Sequence, residues 1–371
     1  MYFDRIEDNS SLFLLKSSDE LKTLFLNLKE ERDIARLLEV SYDRLKLHTS
    51  RSRETARYKK FLIAKKSGGT RTISAPCTAV KILQRKLSQV LYSVYESKAP
   101  VHGFVPARSI LTNAEMHIGK RFILNIDLKD FFHSIHFGRV QGIFTCPPYC
   151  LPQEVAKVLA QLCCYSGKLP QGAPTSPIVS NMICTRMDSE LRKLAQSYKC
   201  TYTRYADDIT FSTTLSKFPL ELAFITNESN ILKANIGDKL NSIVQVNGFE
   251  INANKTRLQH KSRHQEVTGL TVNKFPNVKR SFVREISAML YEWDKCLALK
   301  TSVEDRHRKK YEKWINECGQ DLPSFKNIPS FRQVLRGKIM FLGMIKGKGN
   351  KTYLTYLKWF YELCQLDPVK K

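Results

Sequence analysis

The chain has 371 residues, with 60 Lys and Arg against 35 Asp and Glu and a net charge of +25; its pI is near 9.6. That length suits one large multi-lobed enzyme or two to three ordinary domains, and that charge is the footprint of a protein that binds nucleic acid. No apolar run approaches the ~20 residues of a membrane span, and Met1-Tyr2-Phe3-Asp4-Arg5 lacks the basic and apolar segments of a signal peptide, so a cytoplasmic protein is expected.

Residues 1–56 read as helical. Ser17-x-x-Glu20 has the form of a capping box, with apolar residues recurring at Leu21, Leu24, Phe25 and Leu28. Ile34, Leu37, Leu38 and Tyr42 predict a second helix. Residues 57–272 read as mixed α and β. Phe61–Ala64 and Thr72–Ser74 predict two strands, joined by a turn through Lys65-Lys66-Ser67-Gly68-Gly69-Thr70-Arg71. Asn113 and His117 are spaced to share one helical face. Phe122–Asp127 is a mostly apolar strand pattern that ends in an acid. Leu169–Pro177, punctuated by Gly and Pro, predicts a loop that opens a helix over Ile178–Leu191. Thr201–Arg204 and Ile209–Ser212 then predict a hairpin with Tyr205-Ala206-Asp207-Asp208 at its tip.

Residues 273–371 read as mainly helical after a turn at Asn273–Lys279, with helices over Arg284–Leu299 and Val303–Glu317. From Leu322 to Tyr361 there is no acid, while Lys326, Arg332, Arg336, Lys338, Lys346, Lys348, Lys351 and Lys358 are interleaved with Tyr353, Tyr356, Trp359 and Phe360. A basic face with aromatics can hold phosphates and stack unpaired bases, although some of these aromatics must be core. There are ten Cys. Cys146, Cys150, Cys163 and Cys164 offer a zinc set by count, but without a Cys-x-x-Cys spacing they are expected to be reduced, partly buried thiols.

The chemistry concentrates on the acids. Two adjacent carboxylates at a hairpin tip repel each other, and Asp disfavours strands. They make sense when divalent cations neutralise them, and Mg²⁺ prefers carboxylate oxygens while keeping positions open for phosphates. Two such ions about 3.5–4 Å apart serve in-line phosphoryl and nucleotidyl transfer. Asp127, at the end of its own strand, supplies a third acid.

The order of strand-Asp, Gln171-Gly172…Ser176-Pro177 loop and helix, then Tyr-Ala-Asp-Asp hairpin resembles a reverse transcriptase palm. Arg71–Pro76 with Lys81 and Gln84-Arg85 resembles the fingers block of that family. His102-Gly103-Phe104 and Asn254-Lys255-Thr256 are similar to its segments before the catalytic strand and after the hairpin. Asn113-Ala114-Glu115-Met116-His117 and Val267-Thr268-Gly269 resemble the Asn-Ala-x-x-His and Val-Thr-Gly elements of bacterial retron reverse transcriptases.

The resemblance implies an α+β right-hand polymerase. An N-terminal helical region (1–56) would precede a fingers and palm domain (57–272) with an antiparallel palm sheet, and a mainly helical thumb (273–371) would follow. It implies that Asp127, Asp207 and Asp208 hold two Mg²⁺ ions, Asp127 and Asp207 most directly. Arg71 with Lys65 or Lys66 would hold the triphosphate. Gln171, Gly172, Tyr205 and Ala206 would line the nucleotide pocket, Phe132 would be the steric gate against a ribose 2′-OH, and Lys255 would approach the triphosphate. Asn113, His117, Arg332, Arg336 and Lys338 are the candidate RNA-contacting residues.

The implied partners are dNTPs and a cognate structured noncoding RNA, primed from an internal guanosine 2′-OH and copied into a branched RNA–DNA product (msDNA). The implied setting is antiphage defence with a separate effector protein. Three rivals are a group II intron-like reverse transcriptase, a diversity-generating one, and an RNA-binding scaffold that restrains a toxin. The C-terminus shows no Cys/His endonuclease module, and three intact acids argue against a scaffold, since idle buried acids are costly.

Overall fold

The computed structural model describes residues 12–50, 55–64, 70–228, 231–317 and 330–367. They fall into two compact units. One contains the residues up to Ser109 and Arg121–Gln259; the other contains Ile110–Lys120 and the residues from His260 onward.

The first unit opens with α1 (Ser18–Leu26), which starts where the Ser17–Glu20 capping box closes. The second expected helix is two: α2 (Glu31–Leu37) and α3 (Tyr42–Thr49). The apolar periodicity runs on through Leu38, but Glu39 turns to φ 53° and the Ser41 hydroxyl caps a new helix. The strands β1 (Tyr58–Ala64) and β2 (Thr70–Pro76) pair antiparallel. Next comes α4 (Thr78–Val94), whose buried stripe includes Leu83, Leu87, Val90 and Leu91.

The second unit takes α5 (Ile110–Glu115) before the chain returns to the first at β3 (Phe122–Asp127). Then follow α6 (Phe137–Thr145), α7 (Gln153–Cys163) and α8 (Ser176–Ser197). The acid hairpin is β4 (Thr201–Tyr205) and β5 (Asp208–Thr213). A peripheral hairpin, β6 (Ala223–Glu228) and β7 (Ile231–Ile236), precedes α9 (Asp238–Val246) and β8 (Arg257–His260). The central sheet runs in the order β4-β5-β3-β8, with β3 and β4 both antiparallel to β5. Leu124, Ile126, Ile209 and Phe211 join a core that continues through α4, α7 and α8 to Phe25 and Ile34 of the N-terminal helices. The result is a mixed α+β fold around an antiparallel sheet.

In the second unit, β9 (Glu266–Val267) and β10 (Leu270–Thr271) form a two-stranded hairpin. The remaining helices are α10 (Arg280–Ala298), α11 (Val303–Glu317), α12 (Phe331–Lys346) and α13 (Lys351–Leu366). Their core centres on Trp293, which meets Phe331 and Phe360 edge to face. Glu304 accepts the main-chain N–H groups of Phe331 and Arg332, so a carboxylate satisfies orphan donors at the positive end of α12. Among the described residues no helix is long and apolar enough to cross a membrane.

Candidate active site

The register of the central sheet decides the site. In the β3–β5 pair Asp127 lies directly opposite Asp208, and in the β4–β5 pair Tyr205 lies opposite Asp208. Directly opposed residues on neighbouring strands bring their side chains within ~5 Å. Asp207 sits on the turn at the same edge, and its carbonyl accepts Leu128 N at 3.0 Å. The three acids named from the sequence therefore share one sheet edge.

Burial, with like charge beside it, raises two of the carboxyls. Burial, and then the charge of Asp127, pushes Asp207 above its usual range. Asp208 is exposed by surface area at the strand end, yet protein atoms crowd it. That crowding, followed by the charges of Asp207 and Asp127, pushes it up to about 6. Lys255 and Arg71 pull Asp207 the other way, which sets Arg71 of β2 close enough for its charge to be felt.

Asp127 is met by two side chains from the segment before β8. Lys255 Nζ stands 3.0 Å from its Oδ2, and Asn252 Nδ2 donates to Oδ1 at 3.1 Å. The Asn252 N–H also donates to the Asp127 carbonyl at 2.8 Å. Sequence reading placed Lys255 toward a triphosphate; here it pairs with the first acid and supplies positive charge to it. Asn252 was missed.

Among the described residues, no three His, Cys, Asp or Glu side chains converge as a ready-made metal site. The donor chemistry nevertheless fits hard divalent cations: three carboxylates at one edge, two of them raised by burial and then by neighbouring like charge. Among the described residues the cysteines offer no alternative centre of this kind. Cys163 and Cys164 are buried while Cys146 and Cys150 are exposed, and burial pushes the Cys163 thiol up to about 12.

The loop before α8 packs on β2. Gln171 O accepts Ser74 N at 2.9 Å. Gly172 has φ 121°, and a Cβ there would stand 2.8 Å from Ile73 Cγ2 and 3.1 Å from Ser74 O. The neighbouring strand thus approaches Gly172 too closely for a side chain. Phe132 is half-buried, with its ring 5.2 Å from Phe131 and 6.3 Å from Phe104. Lys65 and Lys66 lie outside the described residues.

Asn113 and His117 belong to the second unit and are 1 % and 0 % exposed. The helix α5 stops at Glu115, so His117 lies on the turn beyond it rather than on a shared helical face. That helix packs on β9 and β10, whose turn is Thr268-Gly269, and Thr268 Oγ1 donates to Ile110 O at 3.2 Å. The Asn-Ala-x-x-His and Val-Thr-Gly elements, distant in sequence, are one packed cluster. The side chains of Asn113 and His117 are buried within that cluster.

Of the three candidate RNA-contacting cations in α12, two already have partners. Arg332 Nη2 lies 2.6 Å from Asp367 Oδ2 and stacks over Trp293, whose Nε1 donates to the same Asp367 oxygen. Lys338 Nζ lies 2.9 Å from Glu285 and over Phe282. The stretch that holds no acid of its own meets acids from α10 and from beyond α13. Arg336, Lys348, Lys351 and Lys358 are exposed, Tyr356 and Trp359 half-buried, and Tyr353 and Phe360 core.

Comparison with known proteins gives this arrangement its class. The family described as reverse transcriptase (RNA-dependent DNA polymerase) matches residues 63–272. The chain is 38% identical over 288 residues to the Retron Mx65 reverse transcriptase of Myxococcus xanthus, covering 71% of this chain and 63% of that one. It is 36% identical over 260 residues to the Retron Mx162 reverse transcriptase of the same organism, covering 63% and 52%. It is 33% identical over 286 residues to the Retron Ec86 reverse transcriptase of Escherichia coli, covering 75% and 84%. The chain thus spans less than two thirds of the two Myxococcus proteins and most of the Escherichia one. It belongs to the reverse transcriptase family, in its retron group.

Proposed function

We propose that the chain is an RNA-directed DNA polymerase that copies part of a structured noncoding RNA into DNA. The observation that supports this most is the register that sets Asp127 across from Asp208, with Asp207 on the adjoining turn. In this reading β1–β2 are fingers, the central sheet is the palm and α10–α13 are the thumb. The β3–β5 edge receives the primer end and the incoming dNTP.

Asp127, Asp207 and Asp208 would hold two Mg²⁺ ions. Bound there, the ions would supply positive charge to activate the attacking hydroxyl and to neutralise the departing pyrophosphate. Asn252 keeps Asp127 oriented through its 3.1 Å hydrogen bond. Lys255, paired with Asp127, is free by chemistry to exchange that carboxylate for a phosphate oxygen and to donate a proton to it. Arg71, with Lys65 or Lys66, would grip the triphosphate. Gln171, Gly172, Tyr205 and Ala206 border the nucleotide, and Phe132 excludes a 2′-OH.

The finer reading rests on the resemblance to retron enzymes: the chain would prime from an internal guanosine 2′-OH, keep a branched RNA–DNA product bound, and act in the cytoplasm in phage defence beside a separate effector. Exposed Arg336, Lys348, Lys351 and Lys358 would hold RNA phosphates.

Asp207→Asn tests the core of the proposal. It removes one anionic ligand and leaves the basic surface in place. DNA synthesis in Mg²⁺ should fall to background while binding to the noncoding RNA transcribed beside the gene stays near the parental level. Synthesis at the parental rate would refute the assignment; detection of 2′,5′-branched DNA in cells would support the priming step.

A further inference from the structure

The strand leading into the acid pair contains an arginine with no solvent exposure. Arg204 lies in β4, and its side chain and that of Asp188 in α8 are both 0 % exposed. They form a forked pair: Nε and Nη2 of Arg204 each donate to a carboxylate oxygen of Asp188 at 2.7 Å. Tyr202 Oη donates to the same carboxylate at 2.7 Å, and Arg204 Nη2 also reaches Asn181 Oδ1 at 3.1 Å. The other arm leaves this cluster. Nη1 donates to the main-chain carbonyl of Ala206 at 3.1 Å. Ala206 is the turn residue just before Asp207, and it is held at φ 56°, a region that a residue with a Cβ enters at a cost.

The backbone presses on this turn as well. A Cβ on Gly103 would stand 2.4 Å from Ala206 N and 2.9 Å from the Tyr205 carbonyl carbon. Gly103 is kept there by Asn181, whose Nδ2 donates to its carbonyl at 2.9 Å. His102 N adds a bond to Arg204 O at 2.8 Å. Asn181 therefore ties the guanidinium to the segment that abuts the turn.

Stability alone does not account for such a cluster. Two charges withdrawn from water regain in mutual attraction about what they lose in hydration, and a well-packed apolar pair often serves the fold as well. An apolar pair cannot hold the Ala206 carbonyl. We infer that Arg204, oriented by Asp188, is a positioning residue that sets the Ala206 turn so that Asp207 and Asp208 present their carboxylates together to divalent cations. The inference rests on the proposed metal role of those two acids. Arg204 touches neither metal nor nucleotide; it acts through the main chain of the turn. Partners of this outer kind typically govern metal affinity or activity by about 10–100-fold.

The test uses the full chain with a poly(rA)/oligo(dT) template–primer. Three variants are compared with the parent. Arg204→Met combined with Asp188→Leu removes both charges and keeps apolar volume. Arg204→Lys keeps a charge for Asp188 but cannot fork onto it and reach Ala206 as well. Asp207→Asn is the control on the metal assignment. The readouts are the thermal midpoint, Mn²⁺ binding to the nucleic-acid-free chain by electron paramagnetic resonance, and the Mg²⁺ concentration for half-maximal extension.

The double variant should melt cooperatively below the parental midpoint, because Tyr202, Asn181 and Ala206 lose their partners, yet bind Mn²⁺ more weakly and need more Mg²⁺, each by about 10–100-fold. Arg204→Lys should move both in the same direction by a smaller factor, and it decides the matter alone if the double variant does not fold. Parental Mn²⁺ affinity together with a parental Mg²⁺ requirement in a folded Arg204 variant overturns the inference. Asp207→Asn tells the two failures apart. If it keeps Mn²⁺ binding and synthesis, the metal assignment falls and the inference with it; if it loses both while the Arg204 variants are unchanged, only the positioning role falls.

Discussion

The acid-bearing edge and the C-terminal helices both manage charge, and they do so in opposite ways. At the edge, carboxylates are crowded by burial and by one another, and the adjoining turn is bonded by an ion pair with no solvent exposure. Along α12 and α13, many of the cations stand in water, and those that are paired use ordinary surface acids. The difference follows from what each task requires. Cation coordination is sensitive to shifts of tenths of an ångström, so the turn is clamped by directional bonds in low dielectric. Gripping a polyanion depends on summed charge, so many exposed and separately dispensable contacts suffice.

The contrast breaks most sharply at Gly103. Ala at this position puts a carbon on the backbone of Tyr205 and Ala206, with nothing flexible to give way. Synthesis should drop by about 100-fold, as for a displacement of roughly 1 Å at a reacting centre, with a stability cost of about 1–3 kcal/mol. Steady-state extension and urea unfolding of the same preparation check both. Parental kinetics would show that the turn is not under steric control.

Gly343→Ala applies the same chemistry to the other region. A Cβ there would stand 2.5 Å from the Tyr353 ring, so the buried ring or the helices that carry it must shift. A stability loss of about 1–3 kcal/mol is expected, with an unchanged Mg²⁺ requirement once the protein is folded. A shifted requirement would erase the distinction drawn between the two regions.

A smaller effect concerns the crowding of the acids. The Asp208 carboxyl is raised from 3.8 to about 6, so between those values the folded state binds the proton more tightly than the unfolded chain does. Its ionised form is therefore a liability to the fold above pH 6, and that liability is relieved as pH falls toward 4. In EDTA, Asp208→Asn should melt above the parent at pH 7.5, and the gap should narrow at pH 5. A variant less stable than the parent at pH 7.5 would mean that the carboxylate supports the fold instead of straining it.

The smallest effects belong to the exposed cations. Lys348→Ala and Lys351→Ala should each weaken RNA binding modestly and reduce the salt slope by about 1 for each phosphate contact removed. Arg332→Ala should lower the melting midpoint as well, because Arg332 joins Asp367 and Trp293. Titrations at two salt concentrations, paired with melting curves, separate the classes. An Arg332 variant of full stability would return that residue to the RNA surface.

Much of this was written locally in the chain. The Ser17–Glu20 cap, the strand ending at Asp127, the hairpin about Ala206 and the helix over Val303–Glu317 depend on neighbours a few residues apart. Period and cap chemistry therefore specified them, and the order of the motifs identified the family. One further signal was present and was passed over: Asp188 sits on the buried stripe Cys184, Leu191, Ala195 of α8, and an acid among apolar residues calls for a cation. Which cation, and what its remaining donor holds, only the tertiary structure decided. So did the opposition of Asp127 to Asp208, the bond from Asn252 to Asp127, and the bond from Thr268 to Ile110. The same holds for the acids that Arg332 and Lys338 meet outside their own stretch. Each joins residues separated by 16 to more than 100 positions, and the free energy of such contacts comes from geometry after collapse, which local propensity does not encode.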